Sequence, residues 1–263
     1  LMSATYTALV RKRRGNNVNK ATLSFSTSLF AFFLVSSALA QENASNPLSK
    51  GRNTDLRIQS TTGDGKDKTD YFIDGAFMAR DDLKIKYELH YNDISSSETS
   101  AGGLEKAVLK GIFFPTEGRL NENWGYRLAV GLDWIVEFDN YDKGIGTGSD
   151  QLAPFAGVAL GHANNGLTLI PLVQHYVSYD GPTDVSQTAM RLIGLQPFAT
   201  DYWAKLDLKV PYDWNAKTWP STAEFQVGYN LSDRVALYGE ALVGIGSDRP
   251  YDNGIGVGLR LKY

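Results

Sequence analysis

A transmembrane antiparallel β-barrel of about twelve strands is the fold that this sequence predicts. Three observations carry it: apolar and polar residues alternate with period two along most of the chain, the alternating stretches run to ten residues or more, and the segments joining them alternate between long and short. Successive strand side chains point to opposite faces, so such alternation gives one apolar and one polar face. A tilted strand crosses a bilayer in about 9–11 residues. The mean hydropathy of -0.26 excludes a bundle of membrane helices, each of which needs about 18 or more apolar residues. It does not exclude a barrel, where only every second residue faces lipid. The absence of cysteine from the 263 residues excludes a disulfide scaffold and thiolate chemistry. A hydrophobic content of 43% argues against disorder.

Residues 1–40 read as an address. They hold five basic residues (Arg11, Lys12, Arg13, Arg14, Lys20) and no acidic one. An apolar run from Leu29 to Val35 follows, ending in Ser37-Ala38-Leu39-Ala40. This is the layout of a secretory signal peptide cleaved after Ala40, and the apolar run is too short for an anchoring helix. Cleavage leaves 21 basic against 29 acidic residues, a net charge of -8. No basic cluster survives in the exported chain, so nucleic acid is not an expected partner. Residues 41–52 are a short periplasmic segment, and 53–263 the barrel.

Twelve strands are expected at 53–61, 70–79, 82–92, 104–114, 123–138, 150–162, 166–179, 186–197, 201–210, 221–231, 234–246 and 253–263. In the third, Leu83, Ile85, Tyr87, Leu89 and Tyr91 alternate with Lys84, Lys86, Glu88, His90 and Asn92. In the fifth, Trp124, Tyr126, Leu128, Val130, Leu132, Trp134, Val136 and Phe138 alternate with a set holding Arg127, Asp133 and Glu137. In the ninth, Ala204, Leu206, Leu208 and Val210 alternate with Trp203, Lys205, Asp207 and Lys209. In the tenth, Ala223, Phe225, Val227, Tyr229 and Leu231 share a face. In the last, Ile255, Val257, Leu259, Leu261 and Tyr263 alternate with Gly256, Gly258, Arg260 and Lys262. A soluble sandwich also alternates. Strand length, tyrosine and tryptophan towards strand ends, and both signs of charge on the opposite face favour the membrane.

Long polar connections are expected at 62–69, 93–103, 140–149, 211–220 and 247–252, and short turns at 80–81, 163–165, 199–200 and 232–233, with 115–122 as an exception. Long loops outside and short turns in the periplasm are the habit of outer-membrane barrels, and they place both termini on the periplasmic side.

The terminal strand, with apolar residues at alternate positions up to Leu259, Leu261 and Tyr263, resembles the closing strand of Gram-negative outer-membrane barrels. That resemblance implies that these residues are the signal read by the barrel-assembly machinery. More narrowly, Leu206-Asp207-Leu208-Lys209-Val210-Pro211, Gln226-Val227-Gly228-Tyr229 and Asp248-Arg249-Pro250-Tyr251 resemble the phenol-degradation-pathway (MetA-pathway) outer-membrane transporter-like family, mainly over 167–263. The family label implies passage of small compounds, aromatic or hydrophobic ones among them.

The candidate chemistry is thin. Some barrel lipid hydrolases place a serine and a histidine two residues apart on one strand. Here His175 and Ser178 are three apart and fall on opposite faces, and His162 has no serine at the useful position. Asp64, Asp67 and Asp70 are read as a solvated outer loop rather than a Ca2+ site, and the glycines at 144–148 and 254–258 complete no phosphate-binding loop. The functional weight falls on charges expected to face the lumen: Lys84, Lys86, Glu88, Lys106, Lys110, Arg127, Asp133, Glu137, Arg191, Lys205, Asp207, Lys209, Glu224, Glu240, Arg260 and Lys262. They line a selective pore or form a salt-bridged filling, and barrels of about twelve strands lie between filled and open sizes. The expectation is a monomeric, non-enzymatic outer-membrane channel for small solutes, in contact with membrane lipids and lipopolysaccharide, with no cofactor or metal. A lipid-modifying barrel enzyme and a closed structural or adhesive barrel are the alternatives.

Overall fold

The computed structural model describes residues 46–97 and 100–263. The signal peptide expected at 1–40 lies outside them, as do residues 41–45 of the segment expected to follow. The alternating stretches form β1 (Asn53–Gly63), β2 (Lys66–Arg80), β3 (Leu83–Ser96), β4 (Ser100–Phe113), β5 (Glu117–Arg119), β6 (Trp124–Glu137), β7 (Asp150–His162), β8 (Thr168–Asp180), β9 (Ser186–Pro197), β10 (Tyr202–Asp213), β11 (Ser221–Asn230), β12 (Val235–Ile245) and β13 (Asn253–Lys262). Neighbours pair antiparallel in one sheet. The ring closes where β1 meets β13, from Asn53↔Lys262 to Thr62↔Asn253, and where β4 meets β6 around the three-residue β5. Twelve long strands thus form a closed antiparallel barrel. Closure pairs every edge, which a hydrocarbon environment requires because it offers the backbone no other partner.

Three connections depart from expectation. Residues 62–69 are mostly strand: Gly63↔Lys66 closes β1 on β2 around Asp64 (φ 49) and Gly65 (φ 70). An Asp-Gly pair with both residues left-handed suits a two-residue hairpin. Asp67 and Asp70 therefore stand on strand β2 rather than in a loop, and on opposite faces of it. Residues 93–103 likewise carry β3 and β4 onward, with Ser95↔Ser100 still paired. Polar residues on both faces made these stretches read as loops, whereas a wall that rises out of the membrane into water can be polar on both sides. The exception at 115–122 holds β5, which pairs Glu117↔Arg127.

Burial is inverted relative to a soluble protein. Ile255 is 73% exposed and Met190 57%, whereas Lys84 is 1% exposed and Asp55 1%. The outward rows of Leu56 and Ile58, Leu128 to Trp134, Leu206, Phe225 and Val227, and Val257 form a continuous apolar wall, which is stable only against lipid. Aromatic groups gather at both ends of it. Phe198, Tyr202 and Tyr229 pack with tilted rings at the end of the short turns, with Tyr202–Tyr229 centroids 4.7 Å apart. At the loop end Tyr212 packs on Trp214 and Trp219, and Trp134 Nε1 donates to Tyr179 Oη at 2.7 Å.

Inside the barrel, the turn end is packed. Leu48 is buried among Ile112, Phe114, Ala129, Ala159, Ile170, Ile193 and Leu195. Burying a leucine this fully stabilises by about 1.5–3 kcal/mol. The segment is tied at the backbone, with Lys84 Nζ donating to the Ser49 carbonyl at 2.7 Å and Arg127 to the Leu48 carbonyl at 3.1 Å. Lys50 and Arg127 also grip Glu117, at 3.0 and 2.7 Å, and hydrogen bonds from Arg127 and then Lys50 hold its carboxyl below the usual range. On the facing wall Arg260 clasps Asp55 at 2.6–2.9 Å, Tyr238 Oη donates to Asp55 at 2.8 Å, and the guanidinium lies 5.5 Å from the Trp203 ring centroid.

Glycines on the inner face of β13 make room for this packing. A methyl group at Gly258 would overlap the Tyr238 ring, and one at Gly256 the Glu240 carboxylate. Over these glycines Arg57 and Gln59 of β1 each hydrogen-bond Glu240 of β12 at 2.6 Å.

Candidate functional site

Above the packed turn end the barrel holds a cavity of about 720 Å3. Its wall comes from inward positions on the strands, and it runs from Pro47 and Asn53 to Tyr141, Thr183 and Asp213 at the loop end. Twelve of the sixteen expected lumen residues line it: Lys84, Lys86, Glu88, Lys106, Lys110, Asp133, Glu137, Arg191, Lys205, Lys209, Glu224 and Arg260. Four do not. Asp207 and Glu240 lie beneath the lining, buried by their partners Arg191, Lys205, Arg57 and Gln226. Arg127 serves the N-terminal segment, and Lys262 sits at the turn end with its ammonium on Asn230 at 3.0 Å. Leu261 and Tyr263 point outward on the last strand turn, 39% and 65% exposed.

Local register explains how the charges meet. Lys110 and Asp133 are cross-strand partners joined at 2.8 Å, and Arg191 and Asp207 sit on adjacent strands with Arg191 Nε donating to Asp207 Oδ1 at 2.7 Å. Lys205 bridges Glu224 at 2.9 Å and Asp207 at 3.3 Å. A bulge places both Glu105 and Lys106 against His90, because the pairing jumps from Leu89↔Ala107 to Tyr91↔Leu104. An extra residue turns two neighbouring side chains to the same face; here Lys106 lines the cavity and Glu105 is buried beside it.

Arg57, Asp55, Asp74 and Tyr176 also belong to the lumen and were not foreseen. In β1 the alternation of Asp55, Arg57 and Gln59 with Leu56 and Ile58 carried that signal, but Ser60, Thr61 and Thr62 interrupt it. Asp70, His90 and Glu105 bring ligand atoms within 4.8 Å of one another. Their carboxylates are already engaged: Asp70 binds His90 Nδ1 at 2.9 Å, and Glu105 meets Lys106, Lys68 and the Asn92 amide. The group is an ion-pair network as it stands.

The histidines show no hydrolase arrangement among the described residues. His175 Nδ1 pairs with Thr188 Oγ1 at 2.9 Å, Ser178 Oγ donates to Asp184 at 3.3 Å, and His162 packs edge-on against Trp124.

No protein-family model and no curated protein matches the chain. Solved structures do. An outer membrane channel from Pseudomonas putida F1 superposes with a TM-score of 0.61 over 85% of this chain and 99% of that one, at 11% identity. The KdgM porin gives 0.55 over 80% and 99%, at 11% identity. The NanC porin gives 0.56 over 80% and 98%, at 10% identity. The chain has the fold of outer-membrane barrels of the channel and porin kind.

Proposed function

We propose that the chain is an outer-membrane channel for passive passage of small solutes, aromatic or hydrophobic compounds among them. In this reading residues 1–40 export it, and Leu259, Leu261 and Tyr263 on the last strand guide its assembly. The observation that carries the proposal is the cavity of about 720 Å3 lined by charged side chains from many strands, inside a wall whose outer face is apolar. A purely structural barrel has no need to leave charged groups around open space, since unpaired interior charge is costly. The shared fold of a known channel and two porins supports the same reading.

Mechanistically, a solute entering at the loops meets mixed charges that select by charge and hydrogen bonding. At the turn end the cavity lining reaches Pro47, next to the packed Leu48. Planar bilayers holding the purified protein are expected to show solute-dependent conductance that changes when Lys205 is replaced by methionine. Silent bilayers over protein of proven fold would overturn the proposal.

A further inference from the structure

Two cross-strand pairs inside the barrel join like charges. Lys86 of β3 stands opposite Lys110 of β4, and Arg191 of β9 opposite Lys209 of β10. Like charges in direct register weaken a sheet, so their presence on two walls of one cavity calls for a reason. The two pairs also converge. Both line one cavity together with the Tyr176 phenol. Lys209 reaches the same phenol oxygen at 3.4 Å, with its ammonium 4.8 Å from the ring centroid.

Only half of this positive charge is matched at close range. Lys110 is neutralised by Asp133 at 2.8 Å, and Arg191 by Asp207. Lys86 reaches Glu88 only at 3.9 Å, and among the described residues Lys209 pairs with no carboxylate. All four cations and Tyr176 line the cavity.

We propose that Lys86, Lys110, Arg191, Lys209 and Tyr176 form a binding site for the carboxylate of small organic anions in transit. The inference rests on the channel reading and names its substrate class. An incoming carboxylate accepts N–H donors from Lys86 and Lys209 and relieves the repulsion between the two pairs. Charge-assisted hydrogen bonds of this kind are strong, the more so inside a protein wall of low dielectric. The Tyr176 ring offers a flat face to the body of the solute. With Lys209 unmatched, Lys86 held by Glu88 only at 3.9 Å, and Asp133 close by, the site suits a monocarboxylate better than a polyanion.

The test uses the full protein in detergent and in bilayers, with benzoate as probe and benzyl alcohol as its neutral counterpart. Calorimetric titration in detergent is expected to show saturable benzoate binding and none for benzyl alcohol. Replacing both Lys86 and Lys209 by methionine weakens benzoate roughly tenfold or more, the scale set by a lost charge-assisted hydrogen bond. Lys209→Arg alone retains binding, and the heat-dependent shift of the folded barrel on gels shows that each variant folds. In a salt gradient the channel is anion-selective, and benzoate lowers the chloride current. Equal binding of both probes, no loss in the double variant, or inorganic phosphate binding as well as benzoate overturns the carboxylate site. Normal conductance without any benzoate effect removes the site and leaves the channel. Benzoate binding of the expected pattern in protein that never conducts keeps the site and removes the channel.

Discussion

The two halves of the barrel interior are built on the same strands and differ in what the inward positions hold. Towards the turns those positions carry Ile112, Ile170, Ile193 and Leu195 on one wall, with Leu48 packed against them, and Trp203, Tyr238 and Arg260 on the other. Towards the loops they carry Lys106, Glu137, Lys209 and Asp213 around open space. Alternation is identical in both halves. The difference lies in side-chain volume and in whether each charge is enclosed with its partner. The turn half spends its inward residues on cohesion, and the loop half is thereby free to hold charges that are poorly matched.

The sharpest way to break this contrast is Asp55→Ala. It removes the carboxylate that Arg260 and the Tyr238 hydroxyl share, and removing one partner of a buried pair costs about 3–5 kcal/mol. Urea unfolding of the barrel in detergent, followed by loss of tryptophan fluorescence, measures it. A cost below that of an ordinary surface change would mean that the turn half is not held by this cluster. Next in size is Leu48→Ala, expected to loosen the N-terminal segment by about 2 kcal/mol. Faster hydrogen exchange at residues 46–50 and a larger single-channel conductance are the readouts, and an unchanged channel would separate the segment from permeation. The smallest effect belongs to the loop half. Lys209→Met removes a cation with no close counter-ion, so stability is expected to stay within about 0.5 kcal/mol of the parent chain. A large loss in the same urea experiment would show that the loop half, too, is structural.

Much of the fold was legible because period-two alternation is a local property. The strand expected at 150–162 is Asp150–His162, and that expected at 186–197 is Ser186–Pro197. The polar rise of β1–β2 and β3–β4 above the membrane was not legible, since Thr62 to Thr69 and Asp93 to Gly103 lack the apolar row that marks a lipid-facing wall. Nor was the docking of Leu48, because a single apolar residue between Pro47 and Ser49 carries no period. The candidate site was half legible. Lys86, Lys110, Arg191 and Lys209 could each be assigned to the inner face from their own strands. Their meeting with Tyr176 in one cavity depends on strands far apart in sequence, and no spacing reports it.

The glycines of β13 bear on how the cylinder is shut. The first and last strands meet along ten residue pairs, yet on the inner face the last strand offers hydrogen atoms at Gly254, Gly256 and Gly258. Arg57 and Gln59 reach over it to Glu240 on the strand before. The first and last strands are thus buttoned together by a clasp sewn one strand back from the opening. The clasp can fasten only after β12, β13 and β1 lie side by side, which makes it a lock on a finished barrel rather than a guide to its formation. Glu240→Gln would weaken the fastening while leaving every backbone pair of the seam in place.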